Sequence, residues 1–598
     1  MTIGSDDSSN SPLKAWVRAL GMTAPIAGNT SVTFPVVIET LADRFGAAPA
    51  LLSDRECLTY RALAERANQY ARWALGQSLA AGDVVCLLMP NCPEYMAIWL
   101  GITRVGAIVS LLNTNLTGDS LAHSINLVAP KHVIVGADLV DAFEAALPRL
   151  PPGVSPWAFG QGNHGFPRID HEIQRFARDR VQSSECALPS IMNPALYINT
   201  SGTTGLAKAA EVSHFRVMQW SHWFAGMMDT RSSDRIYNCL PMYHSIGGVV
   251  ATGAVLVNGG SVVLRQRFSA SHFWDDVAEW NCTLFQYIGE LCRYLVNSPP
   301  HPREREHRLR LCCGNGLRPD VWDEFKRRFR IPQIIEFYAA TESNFSLYNC
   351  EGKPGAIGRI PSFLAHRISV TLVKFDVETG EPIRNEKGFC IRCSANEVGE
   401  AIGKILDDGS SPGSRFEGYT DREASDRKVL RDAFVNGDAW FRTGDLMRRD
   451  ESGYFYFVDR VGDTFRWKGE NVSTTEVADT ISAYPGVSEA VVYGVAIPGT
   501  EGRAGMAALV VSQDFSLAAF WQHLAEHLPE YARPLFLRIR GEIEMTATFK
   551  PKKQDLSREG YDPAVAADVI YFNDRVRQSF VKLDAALYEH LQTGSIRL

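Results

Sequence analysis

Between residues 59 and 135 the apolar positions change period three times. Leu58-Thr59-Tyr60 opens a helix-like run to about residue 75, residues 83–89 form a β-type apolar run, and residues 94–104 are helical again. Such alternation predicts a layered α/β domain. Asn91 is expected to cap the second helix and Pro93 to start it, because an amide can accept an orphan N–H and proline tolerates the first helical turn. Residues 141–190, with PRLPPGVSP and a run of charges, show no sustained period and predict a surface connection. Alternation returns at 261–298, where TLFQYIGELCRYL carries a strand into an amphipathic helix that Pro299, Pro300 and Pro302 stop. The following HPREREHRLR mixes both signs of charge and predicts a solvated helix face. Residues 388–459 switch to short strands and turns, with a hairpin turn at Asp450, Ser452 and Gly453. Beyond Arg460, helix-like stretches at 474–483 and 516–528 alternate with strand-like ones at 487–495 and 535–539. That is the content of a small α+β domain. No repeat, coiled coil or low-complexity tract interrupts the pattern.

At 598 residues the chain is too long for one core and is expected to divide. Its formal net charge of -7 gives no general attraction to nucleic acid, which disfavours a nucleic-acid role. The N-terminus carries two early aspartates and lacks a basic flank or an apolar segment of signal-peptide type, so the expected location is cytoplasmic. The most apolar span, 246–257, is far shorter than the roughly 20 residues that cross a bilayer. Peripheral contact with the inner face of a membrane stays open, since an enzyme of lipid substrates has reason to touch one. Twelve cysteines are well below disulfide-scaffold density. Cys390-Ile-Arg-Cys393 has redox or zinc spacing but no second pair to complete four ligands, and FCIRCSA reads as a strand with packed thiols. Cys312-Cys313 reads as part of a buried strand.

The stretch Tyr197-Ile-Asn-Thr-Ser-Gly-Thr-Thr-Gly-Leu-Ala-Lys208 carries the strongest chemical signal. Gly202 and Gly205 permit bends in which successive N–H groups form an anion-binding concavity. Thr200, Ser201, Thr203 and Thr204 add hydroxyls, and Lys208 adds a mobile positive charge. A triphosphate suits this loop. It is not a Walker A motif, because Lys208 stands three residues past Gly205 and is followed by Ala209.

Four further segments carry weaker signals. In Glu336-Phe-Tyr-Ala-Ala-Thr-Glu-Ser-Asn344 the Glu342 carboxylate could reach a hard divalent ion while the Tyr338 ring covers a purine; a helix-start Thr-Glu pair explains the same residues equally well. Gly314-Asn315-Gly316 ends an apolar run as a ligand-facing loop does. Pro241-Met-Tyr243-His244-Ser245 supplies an aromatic ring and an imidazole before a glycine-rich apolar span that includes Gly247 and Gly248. Thr443-Gly-Asp445, with Arg460 downstream, offers a carboxylate for ribose hydroxyls and a guanidinium for ribose or phosphate oxygens, although Asp445 alone is also an ordinary turn residue. Composition does not single out Lys550 within Thr546-Ala-Thr-Phe-Lys550.

Taken together and in order, these segments resemble the adenylate-forming superfamily, which includes acyl-CoA synthetases, luciferases and peptide adenylation domains. NTSGTTGLAK, LPMYHSIGG, LFQYIGELCRYL, GNGLRPDVWDEF, EFYAATESN, FRTGDL, DRVGDTFRWKGENVSTTEV and TATFKPKKQDL are similar to the branch of fatty acid transport proteins and very-long-chain acyl-CoA synthetases. The resemblance implies an α/β fold with a large multi-sheet N-terminal domain, 1–461, that binds ATP and the acyl group. A small mobile C-terminal domain, 462–598, would carry the adenylation lysine. It makes residues 200–208 the phosphate loop, gives magnesium to Glu342 with help from Thr203 or Thr204, puts Tyr338 near adenine, and counts Ala339 and Thr341 among the cofactor-binding residues. Gly314, Asn315 and Gly316 would line the nucleotide and acyl sites, Asp445 would hold the ribose, and Arg460 ribose or phosphate. Tyr243, His244, Gly247 and Gly248 would border the acyl pocket, and Gly469 would approach the pantetheine arm of CoA. Lys550, with Glu342, Thr203 and Lys208, would be catalytic.

The implied reaction uses ATP, Mg2+ and CoA to convert a hydrophobic carboxylate to its thioester through an acyl-adenylate. A homodimer is the expectation from similar enzymes. Two other readings stay open: a ligase for bile or sterol side-chain acids, and a fatty-acid uptake or binding protein with little catalysis. Three departures from the pattern stand near the proposed pocket: Ala207 in place of proline, and Ala339 and Ser343 in place of glycines.

Overall fold

The apolar runs at 84–88, 108–111 and 132–136 become neighbouring parallel strands because each is buried along its whole length, which suits a sheet covered on both faces. The computed structural model describes residues 11–162, 165–200, 207–365, 368–406, 415–500, 502–546, 552–566 and 568–596. The chain packs as two compact units, one of Met1–Ile368 with Lys404–Leu430 and one of Ser369–Gly403 with Arg431–Leu598. The segment 462–598 lies wholly within the second.

Two sheets organise the first unit. One runs, in spatial order, Ser155–Phe159, His132–Gly136, Val84–Leu88, Ile108–Leu111, Pro194–Thr200 and Lys208–Ser213, parallel except for the last strand, which returns antiparallel on Pro194–Thr200. The other has a parallel core of Ser261–Leu264, Arg235–Asn238, Leu284–Ile288, Leu311–Asn315 and Ile334–Ala339, followed by antiparallel Ser346–Asn349. Parallel order aligns the C-terminal ends of these strands, where ligands bind in open α/β sheets. Helix His214–Met228 starts where the Ser213 hydroxyl accepts from the Arg216 N–H. Helix Pro12–Thr23 packs on it, with Trp16 edge-on to Trp223 and Tyr348 at 5.8 and 5.6 Å.

The second unit contains the antiparallel hairpin Ala439–Arg449 and Tyr454–Arg460, closed at the predicted turn, where the Gly453 N–H donates to the Asp450 carbonyl. It also holds a five-stranded sheet ordered Val487–Val495, Ala504–Val511, Phe536–Arg540, Val569–Asp574 and Ser579–Lys582. Helices Thr474–Ser482 and Leu517–His527 bury Val477, Ile481, Phe520 and Leu524 in its core. The four elements expected here lie within one or two residues of their predicted bounds, whereas the strands Ala504–Val511, Val569–Asp574 and Ser579–Lys582 were not foreseen.

Several expectations need correction. Cys92, not Asn91, precedes helix Pro93–Arg104, and the Asn91 amide is used elsewhere: it donates to the carbonyls of Leu240 and Arg265 and accepts from the Met242 N–H. Within the supposed connection 141–190, Ser155–Phe159 forms an edge strand of the first sheet. HPREREHRLR is a chain of turns whose charges make specific pairs, including Glu304 with Arg328 and Arg310 with Asp234, rather than a helix face. Only isolated bridges occur in FCIRCSA, and Cys390 and Cys393 are free thiols. Among the described residues no helix is long and apolar enough to cross a membrane.

Candidate active site

Thr200 and Lys208 are opposite each other at the open end of the strand pair Pro194–Thr200 and Lys208–Ser213. Ser201, Gly202, Thr203, Thr204 and Gly205 lie outside the described residues, so the structure fixes the two ends of the proposed phosphate loop. His123 Nε2 bonds the Ala207 carbonyl at 3.1 Å, anchoring the position where proline was expected. Stretch 415–420 lies alongside the returning strand: Glu211 N–H donates to the Gly418 carbonyl and Thr420 N–H to the Ala209 carbonyl, both at 3.0 Å. That pairing delivers Tyr419. Its hydroxyl donates to Glu342 Oε1 at 2.6 Å, and the Lys208 ammonium stands 5.4 Å from its ring centre.

The backbone beside Glu342 is held just as closely. Arg216 donates to the Thr341 carbonyl at 2.9 Å and the Arg415 carbonyl at 3.0 Å, and pairs with Glu417 at 3.5 Å. Glu417 in turn accepts from the Ser213 hydroxyl at 2.6 Å, and the Ser245 and Thr341 hydroxyls meet at 3.2 Å. Ser343 turns its hydroxyl into its own loop, accepting from the Phe345 N–H and donating to the Phe345 carbonyl. The Tyr338 ring stands 6.0 Å from that of Phe345, and Ala339 ends its strand exposed.

Gly314 and Asn315 end the strand Leu311–Asn315, and Gly316 turns the chain with φ +77°. Asn315 Oδ1 is buried with no hydrogen-bond partner among the described residues, as are both amide atoms of Gln286 on the neighbouring strand. An unpaired buried amide at a strand end is chemically suited to a ligand. Beneath this turn lies Glu336, fully buried, whose Oε2 accepts from the Tyr287 hydroxyl at 2.5 Å and whose Oε1 accepts from the Leu317 N–H at 3.0 Å. The Gly316 N–H also bonds it, and burial pushes its carboxyl up to about 8 against these donors.

Between the unfolded value near 4.5 and 8 the folded protein therefore holds a proton on Glu336 that the unfolded chain releases. This contribution to stability is complete below 4.5 and declines as pH rises through 8, by roughly 1 kcal/mol per pH unit. Glu336→Gln removes the decline. Urea unfolding at pH 5.5 and 7.5 should find the variant gaining roughly 2 kcal/mol on the wild type over that interval; an unchanged difference would place the Glu336 ionisation elsewhere.

The segment 240–245 is fixed by Asn91 and, through Gly247, by Asn238, whose amide donates to the Gly247 carbonyl at 2.8 Å. Tyr243 and His244 lie ring to ring at 4.6 Å, and Asn115 donates to the Tyr243 hydroxyl at 3.3 Å. Ile246–Val250 is a π-helical turn, a form frequent at functional sites. A side chain on Gly247 or Gly248 would meet the carbonyls of Pro241 or Met242 within 2.4 Å, so these glycines serve close packing of that turn.

In the second unit Asp445 and Arg460 are cross-strand neighbours, with the guanidinium 3.8 Å from the carboxylate. Asp459 is buried and accepts from the Thr474 N–H at 2.6 Å and the Thr464 hydroxyl at 3.0 Å. Burial raises its carboxyl while nearby Lys553 opposes the rise. Gly469 stands at the tip of the hairpin Phe465–Trp467 and Glu470–Val472 with φ +83°. It borders a pocket of about 280 Å³ with Phe375, Asp376, Arg466, Glu470 and Asn471. Lys550 lies outside the described residues.

Thus Thr200, Lys208, Thr341 and Glu342 form one connected cluster, and Asp445 with Arg460 another. Sequence reasoning missed Tyr419, Arg216, Ser245 and Glu336. The first lies in FEGY, too short a signal to stand out. The Glu336 carboxylate, in an otherwise apolar strand IIEFY, was visible as an anomaly. Among the described residues no three His, Cys, Asp or Glu side chains converge to hold a metal. A single carboxylate nevertheless fits magnesium that arrives with phosphates, since that hard ion commonly keeps most of its other ligands as phosphate oxygens and water.

Comparison with known proteins identifies the family and the fold. The AMP-binding enzyme family matches residues 38–394, and the AMP-binding enzyme C-terminal domain matches residues 476–550. The chain is 40% identical to mouse (Mus musculus) long-chain fatty acid transport protein 6 over 92% of its own length and 88% of that protein's. It is 39% identical to human (Homo sapiens) long-chain fatty acid transport protein 1, covering 95% and 88%. Among solved structures, the anthranilate CoA ligase AuaEII in complex with anthranoyl-AMP superposes with TM-score 0.75 at 21% identity, over 88% of this chain and 97% of that one. ATP-bound MatB from Rhodopseudomonas palustris gives TM-score 0.73 at 22% identity over 90% and 100%.

Proposed function

Because the chain belongs to the AMP-binding enzyme family of acyl-adenylate-forming ligases, we propose that it is an ATP-dependent long- or very-long-chain fatty acyl-CoA synthetase. The observation that carries the reading is the Glu342–Tyr419–Lys208 cluster at the end of the phosphate-loop hairpin. The choice of fatty acid rests on the 40% identity to long-chain fatty acid transport proteins.

In this reading the carboxylate oxygen of the acid attacks the α-phosphorus of ATP, the bond to the β-phosphate breaks, and pyrophosphate leaves. Lys208 and Lys550 offset the repulsion between carboxylate and triphosphate. Glu342 and Thr203 would hold magnesium, which would supply further charge neutralisation on the phosphate oxygens. Asp445 and Arg460 hold the ribose, and Gly314 to Gly316 let the nucleotide approach the backbone. Residues 462–598 then turn about Val461–Asp463, so that Lys550 withdraws and Gly469 meets the pantetheine arm. The CoA thiolate attacks the acyl carbonyl, and the C–O bond to AMP breaks. Gly462, at φ +93°, suits a hinge because glycine accepts large backbone changes at little cost.

The direct test is mass spectrometry of CoA esters after incubation with ATP, Mg2+, CoA, fatty acids of C8 to C24 and cholate. Long-chain esters are expected. Conversion of cholate alone overturns the fatty-acid assignment in favour of a bulky-acid ligase, and no ester with any acid, despite fatty-acid binding, favours a binding protein.

A further inference from the structure

Glu342, assigned above to magnesium, does not stand alone in the structure. Tyr419 is 6% exposed, and its hydroxyl donates to Glu342 Oε1 at 2.6 Å. The Thr200 hydroxyl bonds the same phenol, and the Lys208 ammonium lies over the ring at 5.4 Å. Two groups of the phosphate-loop hairpin and the Glu342 carboxylate therefore meet on one side chain. The hairpin reaches it through backbone as well, by the bridge between Ala210 and Tyr419 and the flanking bonds Glu211 N–H to Gly418 O and Thr420 N–H to Ala209 O.

We propose that Tyr419 is a positioning residue that fixes the rotation of the Glu342 carboxylate and couples it to the phosphate-loop hairpin. An ionised carboxylate is acceptor-only and has two oxygens to place. A phenol donating to Oε1 holds the carboxylate plane, and the second oxygen would serve a hard cation bound to phosphate oxygens. Donors of this kind orient metal-binding carboxylates and commonly change metal affinity 10- to 100-fold when removed. Lys208 over the ring face adds an attraction that depends on the same side chain staying in place.

The inference rests on the ligase reading only in assigning the cation to Glu342, and the test separates the two. Water proton relaxation with Mn2+·ATP reports protein-bound metal without any acyl substrate. Tyr419→Phe keeps the ring and removes the one hydroxyl. It is expected to weaken Mn2+·ATP binding about tenfold and to raise the magnesium concentration needed for half-maximal pyrophosphate release by a similar factor. KM for the acid and the near-UV circular dichroism should stay at wild-type values. In a Glu342→Gln background the same substitution should change Mn2+·ATP binding less than twofold, because the group it orients is gone. An equal loss in both backgrounds, or no loss in either, overturns the positioning role. Tight Mn2+·ATP binding that responds to Tyr419→Phe in a protein that makes no CoA ester would refute the synthetase while leaving this inference intact.

Discussion

Lys550→Ala should lower pyrophosphate release from ATP and a long-chain acid by about 10²- to 10³-fold, the loss typical of removing one group that stabilises developing charge in a transition state. The carboxylate and the triphosphate repel each other, and a cation within about 4 Å of both is worth several kcal/mol at the effective dielectric of a protein site. Synthetic acyl-AMP presented with CoA should be converted within about twofold of the wild-type rate, because thioester formation in the proposed sequence follows withdrawal of the lysine. The neighbouring lysines provide the control. Lys552 pairs with Glu544 at 3.0 Å, and Lys553 bonds Asp463 and Thr474 at 3.0 and 2.9 Å, all within the second unit. Both are therefore committed to local structure. Lys552→Ala should leave adenylation within about twofold. Equal losses in both half-reactions for Lys550→Ala would remove it from the adenylation step.

The contrast between these lysines shows where sequence reading succeeds and where it stops. FKPKK offers three cations of the same composition, and only the ion pairs of the fold distinguish two of them. Periodicity served well where a whole element faces one environment, as at 83–89, which the structure reproduces as Val84–Leu88, buried at every position. It failed where a side chain has two uses. Asn91 has the residue type of a helix cap, yet its amide ties Leu240, Arg265 and Met242 together, contacts about 150 residues away in sequence or more that no local rule contains. A phosphate loop could be proposed from sequence because glycines, hydroxyls and a lysine occupy one short stretch, of which Thr200 and Lys208 are described. Tyr419 could not, because its partners Glu342 and Thr200 reach it from distant segments and a tyrosine beside a glycine has no periodic signature.

The same limit applies to Gly289, which the sequence shows only as a helix start and the structure shows as the tightest backbone contact near the proposed nucleotide site. A Cβ there would stand 1.7 Å from the Gly316 carbonyl oxygen and 2.3 Å from its carbon, and backbone atoms cannot turn aside as a side chain can. Gly289→Ala must therefore displace the 314–317 turn or part the strands Leu284–Ile288 and Leu311–Asn315. Overpacking of this kind costs about 1–3 kcal/mol. Moving the turn also takes the Leu317 N–H from the buried Glu336 carboxylate, a loss of about 1–3 kcal/mol more. Gly316 lies within the candidate site itself but has 3.9 Å of clearance, so Gly316→Ala meets only the strain of φ +77°, about 1–2 kcal/mol. Urea unfolding and ATP saturation should consequently rank the two against their apparent roles, with Gly289→Ala lowering the midpoint more and raising KM for ATP over tenfold. A Gly289→Ala protein of wild-type stability and ATP affinity would show that the turn yields freely, and with it that Glu336 does not brace the site.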